Sequence, residues 1–248
     1  GFDKLDFSHL TLALGGGTAV QRAVADRWKQ VTGCTLVEAY GLTETSPAVC
    51  MNPMDIPEHN GSIGLPVPST DACVMDDDNR VLTHGETGEL CIKGPQVMKG
   101  YHNMPTETAN SLRADKTGKI WLYTGDIVRM DEDGYFFIVD RKKELIKPGG
   151  FQVWPREVEE AIQSNPKVLE VGVAGIPDPN RGETVKAWVV LKPGETMTEE
   201  ELRAYCKQSL APYKVPTHVE FRSELPKTTV GKILRRELVR QHKEANPS

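Results

Sequence analysis

The first forty residues limit the fold more than any other stretch, because they place one amphipathic helix between two apolar strands. Leu10–Leu14 is typical of a short buried strand, and Cys34–Ala39 of a second one. Between them, apolar residues from Val20 to Val31 recur every three or four positions, as on one face of a helix. Strands joined through a helix run parallel. Two parallel strands cannot enclose a core alone, so the pattern predicts the tail of a larger α/β sheet.

The pattern changes between residues 56 and 140 to short alternating segments separated by turn signals. Ala72–Met75 and Glu89–Lys93 have the length and alternation of strands. Asp131–Gly134 is an acidic stretch ending in glycine, which is typical of a hairpin turn. Thr106–Leu112 is the one stretch of this region with a helical pattern of useful length. We expect a small antiparallel barrel or sheet here.

A third pattern follows Asp140 and predicts the element order α-β-β-α-β-α, typical of a compact α+β domain. Pro155 suits the first turn of a helix, and Thr198–Glu201 forms a capping box at the start of another. The expected fold class is α/β plus α+β, in three parts. Residues 1–55 are the tail of a parallel α/β sheet unit, residues 56–140 a small antiparallel β-barrel subdomain, and residues 141–248 a separate C-terminal α+β domain.

The composition argues against several classes of protein. The chain has 30 basic and 35 acidic residues and a formal net charge of −5, so a nucleic-acid partner is not expected. Its sequence has no apolar run near the roughly 20 residues of a membrane span, and we expect no signal segment. The five cysteines include no C-x-x-C pair, which argues against a disulfide framework or a zinc site. A cytoplasmic location fits best, while loose peripheral membrane association and a homodimer stay open.

Two segments lie at the carboxyl ends of the predicted parallel strands, the edge where such sheets bind ligands. Gly15–Gly17 would let a flat ligand approach the backbone, although a tight strand-to-helix turn explains the glycines equally well. In the run Tyr40–Thr45, the tyrosine ring is suited to stack on a base. Thr43 offers a hydroxyl to a phosphate and Glu44 a carboxylate to Mg²⁺. The alternative for each single residue is a turn with a solvated glutamate.

Two further segments suit other parts of a nucleotide-like ligand. Asp126, which follows a threonine and a glycine, is placed to accept both hydroxyls of a ribose, or else is a plain turn aspartate. A basic cluster from Arg141 to Lys147 precedes Gly149 and Gly150. Positive charge beside two glycines suits a phosphate-bearing ligand that lies against the backbone, and a solvated basic loop is the alternative.

The last segment of chemical interest leads into the final helix. Gly231 leaves the approach to Lys232 open, and a lysine ammonium is a compact charge suited to developing phosphoryl charge. The arginines that follow, at positions 235, 236 and 240, are expected to form a solvated helix face.

Taken together, these segments resemble a known family. The motifs that carry the resemblance occur in this order: Tyr40–Glu44, Gly88–Leu90, Gly100–Tyr101, Thr124–Asp126, Asp133–Tyr135, Asp140–Lys143, Gly149–Phe151, Glu157–Glu159 and Pro226–Arg236. They resemble the adenylate-forming superfamily of acyl-CoA synthetases, luciferases and peptide-synthetase adenylation domains. Within it, Gly61–Pro68 and Gly94–Tyr101 look most like microbial long-chain fatty acid–CoA ligases, of which this chain would be the C-terminal portion.

The resemblance implies roles for individual residues at the nucleotide. The residues implied to line the adenine pocket are Gly15, Gly16, Gly17, Thr18, Glu38, Ala39, Tyr40 and Gly41. Tyr40 would stack on the base. Thr43 would contact the α-phosphate and Glu44 the Mg²⁺, while Asp126 would bind the ribose hydroxyls with help from Arg141.

Other implied roles belong to the C-terminal domain, which the resemblance makes mobile. Lys143 would be the hinge about which this domain turns. Lys232 would reach the α-phosphate and the carboxylate during adenylation. Gly149 and Gly150 would face the pantetheine arm of CoA after the rotation. The implied substrates are ATP with Mg²⁺, a fatty acid and CoA, and no tightly bound organic cofactor is expected.

Two departures from the family pattern affect these expectations. Ala19 stands where the family often has proline after the glycine-rich turn, so the turn should be less rigid. The Ser/Thr/Gly-rich phosphate loop of the family is missing from these 248 residues, so we expect the isolated chain to show no ATP–pyrophosphate exchange. Two alternatives stay open. One is an adenylating enzyme for another acid or for a carrier-protein acceptor, and the other is an inert nucleotide-binding or interaction module.

Overall fold

The computed structural model describes residues 1–17, 20, 22–229 and 231–246. The chain divides into two compact units, Gly1–Val139 and Asp140–Ser248. Mixed α/β structure with several sheets makes up the fold, as the sequence predicts in outline.

The first unit begins with a mixed four-stranded sheet in the order β1-β2-β3-β4. Strand β1 (Ala13–Gly15) pairs in parallel with β2 (Leu36–Gly41), and helix α1 (Arg22–Thr32) connects them. The predicted parallel pair is therefore confirmed, although β1 begins three residues later than the apolar run. Strands β3 (Ala48–Met51) and β4 (Leu65–Pro66) add to the sheet in antiparallel fashion.

Helix α1 ends where the sequence predicts. Gly33 has a φ of +73°, and its N–H donates to the carbonyl of Lys29 at 2.8 Å. Its predicted apolar face is covered only in part within the described residues. Ala25 is buried, Trp28 is half-buried, and Val24 remains 55% exposed.

The rest of the first unit is built on a second, antiparallel sheet. Its elements are β5 (Asp71–Met75), β6 (Thr87–Lys93), α2 (Pro105–Ser111), β7 (Leu112–Ala114), β8 (Ile120–Met130) and β9 (Phe136–Arg141). The strand order is β5-β6-β8-β7, and β9 also pairs with β8. Within the described residues these pairings give an open sheet and do not close a barrel. Its buried core includes Leu90, Val128 and Phe136.

The second unit contains α3 (Pro155–Gln163), β10 (Val168–Asp178), β11 (Gly182–Leu191), α4 (Glu199–Cys206), β12 (His218–Phe221) and α5 (Arg235–Ala245). Strands β10 and β11 form an antiparallel hairpin, and β12 lies parallel to β11. This is the predicted element order. Among the helices that the structure describes, none combines the length and apolar character that crossing a bilayer requires.

The sheet of the second unit buries both of its faces. One face packs on α3 and α4 through residues such as Ile162 and Leu202, and the other packs on α5 through Leu238. Each such buried side chain contributes about 1.5–3 kcal/mol of apolar transfer free energy. Gly172 lets α5 approach closely, because a Cβ there would lie 2.8 Å from Cδ1 of Leu238.

The capping box of α4 is confirmed. Oγ1 of Thr198 accepts a hydrogen bond from the N–H of Glu201 at 3.2 Å. In return, Oε2 of Glu201 accepts one from the N–H of Thr198 at 2.8 Å. The box satisfies two backbone donors that a helix start otherwise leaves without partners.

The cysteines are free thiols that differ in their burial. Burial raises the pKa of Cys50 to about 12 and that of Cys206 to about 11. Alkylation at pH 8, mapped by mass spectrometry, is expected to label the half-exposed Cys34 at least tenfold faster than Cys50 or Cys206. In denaturant the rates should converge, because the difference comes from burial. Equal rates in the folded protein would contradict this packing.

Candidate functional site

The fold brings two of the predicted nucleotide residues into direct contact in the first unit. Oη of Tyr40, on β2, donates a hydrogen bond to Oδ2 of Asp126, on β8, at 2.6 Å. The two residues are 86 positions apart in the sequence. Asp126 is only 3% exposed, so its position is tightly defined.

Asp126 lies at an irregular point of strand β8 rather than in a turn. The β6–β8 register shifts between Glu89 and Cys91, so three residues of β8, Thr124–Asp126, lie opposite one residue of β6. Gly125 has a φ of +73°, and its N–H donates to Oε1 of the buried Glu89 at 2.9 Å. A bulge of this kind re-aims a side chain, which here is the carboxylate of Asp126.

The hydroxyl of Thr124 completes this arrangement. It donates to the carbonyl of Leu90 at 2.9 Å and accepts from the N–H of Asp126 at 3.1 Å. Sequence reasoning missed Glu89 as the support of this bulge. Its position in the Gly88–Leu90 motif was the available signal.

Glu44 is held by a different partner. Oη of Tyr101 donates to Oε1 of Glu44 at 2.7 Å, and the backbone carbonyl of Glu44 accepts from the N–H of Met98 at 2.8 Å. Burial, followed by the hydrogen bond to Glu44, raises the pKa of the Tyr101 phenol. Tyr101 was part of a motif in the sequence without an assigned role. Thr43 starts the same 3-10 turn and is exposed.

The turn around Glu44 folds back on the end of β2. The hydroxyl of Thr45 accepts from the N–H of Leu42 at 3.0 Å and donates to the carbonyl of Pro47 at 2.5 Å. A Cβ on Gly41 would overlap that same carbonyl of Pro47. Gly41 is thus explained by close backbone packing, and its predicted contact with a nucleotide stays a prediction.

Glu38 is buried beneath the glycine-rich turn. Its Oε1 accepts from the N–H of Val20 at 3.2 Å, and its Oε2 lies 3.8 Å from Nε2 of His59. Burial, and then the nearby Arg22, lower the pKa of His59, which favours its neutral form. These contacts tie the end of β2 to the start of α1.

The glycines of the turn lie close to β2. A Cβ on Gly16 would lie 3.0 Å from the carbonyl oxygen of Ala39, and Gly17 has a φ of +78°. A Cβ on Gly15 would lie 2.8 Å from the side chain of Val20. Thr18 and Ala19 lie outside the described residues. The close approach explains the glycines sterically, and an adenine contact remains a prediction.

The residues present fit a Mg²⁺ ion that is held jointly by a protein carboxylate and the phosphates of a bound substrate. In the described parts of the chain, no group of three His, Cys, Asp or Glu side chains is arranged to hold a metal. Mg²⁺ is usually bound through one or two carboxylates together with substrate phosphates, rather than by an all-protein cage. The half-buried carboxylate of Glu44 is a donor of that kind.

In the second unit, Gly149 and Gly150 need glycine because of their backbone conformation. Their φ values are +59° and +89°, and the N–H of Gly149 donates to the carbonyl of Arg181 at 3.0 Å. A Cβ on either would meet no heavy atom of the described chain within 4 Å. The next residue, Phe151, is exposed and stacks on Tyr213 with ring centroids 4.6 Å apart.

Lys232 lies on a tight loop that precedes α5. Thr228 N–H donates to the carbonyl of Lys232 at 2.8 Å, and Lys232 N–H donates to Oγ1 of Thr228 at 3.1 Å. Gly231 has a φ of +83°, which the loop requires. The side chain of Lys232 is exposed. Val230 lies outside the described residues.

The basic residues around Lys143 are exposed. Arg141 ends β9, and its N–H donates to Oδ1 of Asp140 at 2.7 Å. Lys142 and Lys143 follow in a 3-10 turn that closes at Glu144.

The expectation that the arginines of α5 are solvated is wrong for Arg235. Its side chain is 18% exposed and pairs with Glu159 and Asp140. Arg240 does follow the expectation, since it is 58% exposed and pairs with Glu237 and Glu244 of its own helix. The partners of Arg235 lie 76 and 95 positions away, which no local pattern indicates.

Two family models match the chain. One describes an AMP-binding enzyme and matches residues 2–102, and the other describes the AMP-binding enzyme C-terminal domain and matches residues 157–232. The chain therefore belongs to the AMP-binding enzyme family. The resemblance expected from the motifs is confirmed.

Several relatives carry a more specific name. A long-chain-fatty-acid–CoA ligase of Yersinia pestis is 54% identical over 237 residues, covering 96% of this chain and 41% of the relative. The ligase of that name from Bacillus subtilis is 50% identical over 240 residues, covering 96% and 42%. The crystal structure of ATP-bound MatB from Rhodopseudomonas palustris superposes with a TM-score of 0.87 at 34% identity, covering 94% of this chain and 46% of that one. The chain thus spans about 41% of the length of the curated ligases it matches.

Proposed function

We propose that this chain is part of a long-chain fatty acid–CoA ligase. In the first step, a carboxylate oxygen of the fatty acid attacks the α-phosphorus of ATP. The bond to pyrophosphate breaks and an acyl-adenylate forms. In the second step, the thiol of CoA gives up its proton to the solvent and its sulfur attacks the acyl carbonyl, so that the bond from the acyl carbon to the phosphate oxygen breaks and AMP leaves. The names of the relatives support this proposal.

The observation that carries the proposal is the contact between Tyr40 and Asp126 at 2.6 Å. It places an aromatic ring beside a buried carboxylate, a pairing suited to adenine and ribose. The carboxylate of Asp126 accepts hydrogen bonds from the ribose hydroxyls, with Arg141 assisting, while the ring of Tyr40 packs on the base. The turn of Gly15, Gly16 and Gly17, together with Glu38, Ala39 and Gly41, forms the remaining wall of the proposed adenine pocket, and Thr18 is assigned to the same pocket by the family resemblance alone.

The phosphates are assigned to the turn that follows β2. The exposed hydroxyl of Thr43 donates to the α-phosphate. Glu44, oriented by Tyr101, would hold Mg²⁺ together with the phosphates. When bound, the ion neutralises charge on the phosphate oxygens.

Lys232 stabilises the first step by electrostatics. Its ammonium donates to an oxygen of the α-phosphate and to the attacking carboxylate, so it aligns the two and balances the charge that spreads over the transferring group. No proton transfer is needed in this step. The exposed position of Lys232 on its loop agrees with that role.

The second step uses a different part of the second unit. Gly149 and Gly150 face the pantetheine arm of CoA, where the absence of a Cβ leaves room for it. Lys143, in the exposed 3-10 turn, is the hinge that separates the two steps.

We assign the parts of the chain accordingly. Residues 1–55 are the end of the nucleotide-binding α/β subdomain, residues 56–140 are an antiparallel β subdomain whose described strands form an open sheet in place of the expected barrel, and residues 141–248 are the mobile α+β domain. The proposed substrates are a fatty acid, ATP and CoA. The proposed location is the cytoplasm. Membrane fractionation tests peripheral membrane association, and light scattering tests homodimer formation.

Acyl-adenylate formation by the complete protein tests this proposal. ATP–pyrophosphate exchange should depend on a fatty acid and increase with its chain length, and CoA should then accept the acyl group in preference to a carrier protein. Exchange with short acids alone, or transfer to a carrier protein alone, would overturn the assignment.

Asp126→Ala is expected to raise the KM for ATP by about 10- to 100-fold, because it removes charge-assisted hydrogen bonds worth about 1.5–3 kcal/mol. The KM for the fatty acid should stay within about threefold. The matched control is Asp133→Ala, since Asp133 is an exposed aspartate in the nearby hairpin turn. Steady-state kinetics of the exchange reaction gives both constants, and equal effects of the two variants would contradict the ribose assignment.

A further inference from the structure

We propose that Arg235 is a positioning residue that fixes the loop bearing Lys232 to the segment bearing Lys143. This inference rests on the proposed function, because it assigns Arg235 a part in the adenylation step. Arg235 itself touches no reacting atom.

The guanidinium of Arg235 has acidic partners on all of its nitrogens. Nε donates to Oε1 of Glu159 at 2.8 Å, and Nη2 donates to Oε2 of the same carboxylate at 2.5 Å. Nη1 donates to Oδ1 of Asp140 at 3.2 Å and also pairs with Glu144. The two-bond fork to Glu159 has a fixed geometry that only a planar guanidinium provides.

Each partner is itself fixed in the second unit. Asp140 is 3% exposed, and its Oδ2 accepts from the N–H of Arg156 at the start of α3 at 2.6 Å. Oε1 of Glu159 also accepts from the N–H of Val173 on β10 at 2.8 Å. Glu144 closes the 3-10 turn that contains Lys143. Through these carboxylates, the side chain of Arg235 connects the segment around Lys143 with α3 and, by way of Glu159, with β10.

The other end of this connection is the loop of Lys232. Arg235 is the first residue of α5, three positions after Lys232. The N–H of Leu234 donates to the carbonyl of Pro226 at 2.8 Å, and Lys227 pairs with Ile233 across the base of the loop. The loop is closed on itself, so a shift of Arg235 moves Lys232 with it.

Charge explains why the arginine is needed. Without it, three carboxylates, those of Asp140, Glu144 and Glu159, would face one another in a partly buried space. Three carboxylates that all contact one guanidinium lie close enough to repel one another when it is removed. The segment around Lys143 and the loop bearing Lys232 would then separate to relieve the repulsion. Arg235→Lys keeps one positive charge but not the two-bond fork to Glu159, so it should keep the loop of Lys232 in position only in part.

The test uses the complete protein and measures the two half-reactions separately. Arg235→Gln is expected to lower kcat for adenylation by about 10- to 100-fold with the KM for ATP within threefold, and Arg235→Lys by less. Thioester formation from pre-formed acyl-adenylate should stay within threefold of the parent. Arg240→Gln is the matched control, because among the residues that the structure describes Arg240 pairs with Glu237 and Glu244 of its own helix, and both half-reactions should be unchanged.

Glu159→Gln tests the same contact by changing the carboxylate partner of Arg235. It replaces Arg235→Gln in the experiment if that variant does not fold. It should reproduce the selective loss of adenylation to a smaller degree. An equal loss of both half-reactions, or full activity of Arg235→Gln, would overturn the inference and leave the proposed function standing. A parent protein that forms no acyl-adenylate would instead overturn the proposed function, and the inference with it.

Discussion

Lys232→Ala in the complete protein is expected to lower the rate of acyl-adenylate formation by at least about a hundredfold. The reason is electrostatic, since loss of one pre-placed donor to a charged transition state typically costs about 10²–10³ in kcat. Lys232 is exposed on a loop that closes without its side chain, so the fold should be unaffected. ATP–pyrophosphate exchange measures the loss directly.

The same variant should form the thioester from pre-formed acyl-adenylate at nearly the parent rate. Lys243→Ala is the control, because Lys243 is also an exposed lysine of the C-terminal segment and has no assigned role in the reaction. If Lys232→Ala lost both half-reactions equally, its proposed role in the first step would be wrong.

Gly64→Ala is expected to destabilise the first unit by about 3 kcal/mol or more, the range of severe core defects. Gly64 has a φ of +92°, and a Cβ there would overlap the backbone of Met51 and Asn52. Its carbonyl also accepts from the N–H of Phe136 at 3.2 Å, which joins the two sheets of this unit. Relief of the overlap requires β3 to move.

The control for this substitution is Gly85→Ala. Gly85 also has a positive φ, +82°, but a Cβ there meets no heavy atom of the described chain within 4 Å. It should cost only the backbone strain, about 1–2 kcal/mol. Chemical denaturation of the complete protein, monitored by proteolytic cleavage within residues 1–139, compares the free energies of unfolding of the two variants. Equal destabilisation would contradict the packing around Gly64.

The displacement of β3 also has a consequence for the site. Tyr40 lies opposite Cys50 in the β2–β3 ladder, so its ring depends on the position of β3. Gly64→Ala should therefore weaken ATP binding as well as stability. This coupling places Tyr40, a proposed nucleotide residue, on the structural core of the unit rather than on a free loop.

Local patterns in the sequence predicted most helices and hairpins. The capping box of Thr198 and the helix stop at Gly33 are confirmed because each depends on residues only three or four positions apart. The turn at Asp131–Gly134 is confirmed for the same reason: the N–H of Gly134 donates to the carbonyl of Asp131 at 3.1 Å.

Features that depend on distant parts of the chain were not predictable in this way. The sequence left open that Asp126 is a plain turn aspartate, but it lies in a long strand at a bulge whose support, Glu89, is on β6. Arg235 was expected in solvent because a basic helix face looks the same in sequence whether or not carboxylates from other elements cover it. The exposed Val24 shows the converse, since a helical apolar pattern does not say which positions will be covered.

A structure of the complete protein with a non-hydrolysable acyl-adenylate analogue, an acylsulfamoyl adenosine, would show whether Tyr40 and Asp126 bind the nucleotide. We expect the adenine ring packed on Tyr40 and both ribose hydroxyls within hydrogen-bond distance of the Asp126 carboxylate. An adenosine bound elsewhere, with neither residue in contact with it, would contradict the proposed nucleotide site.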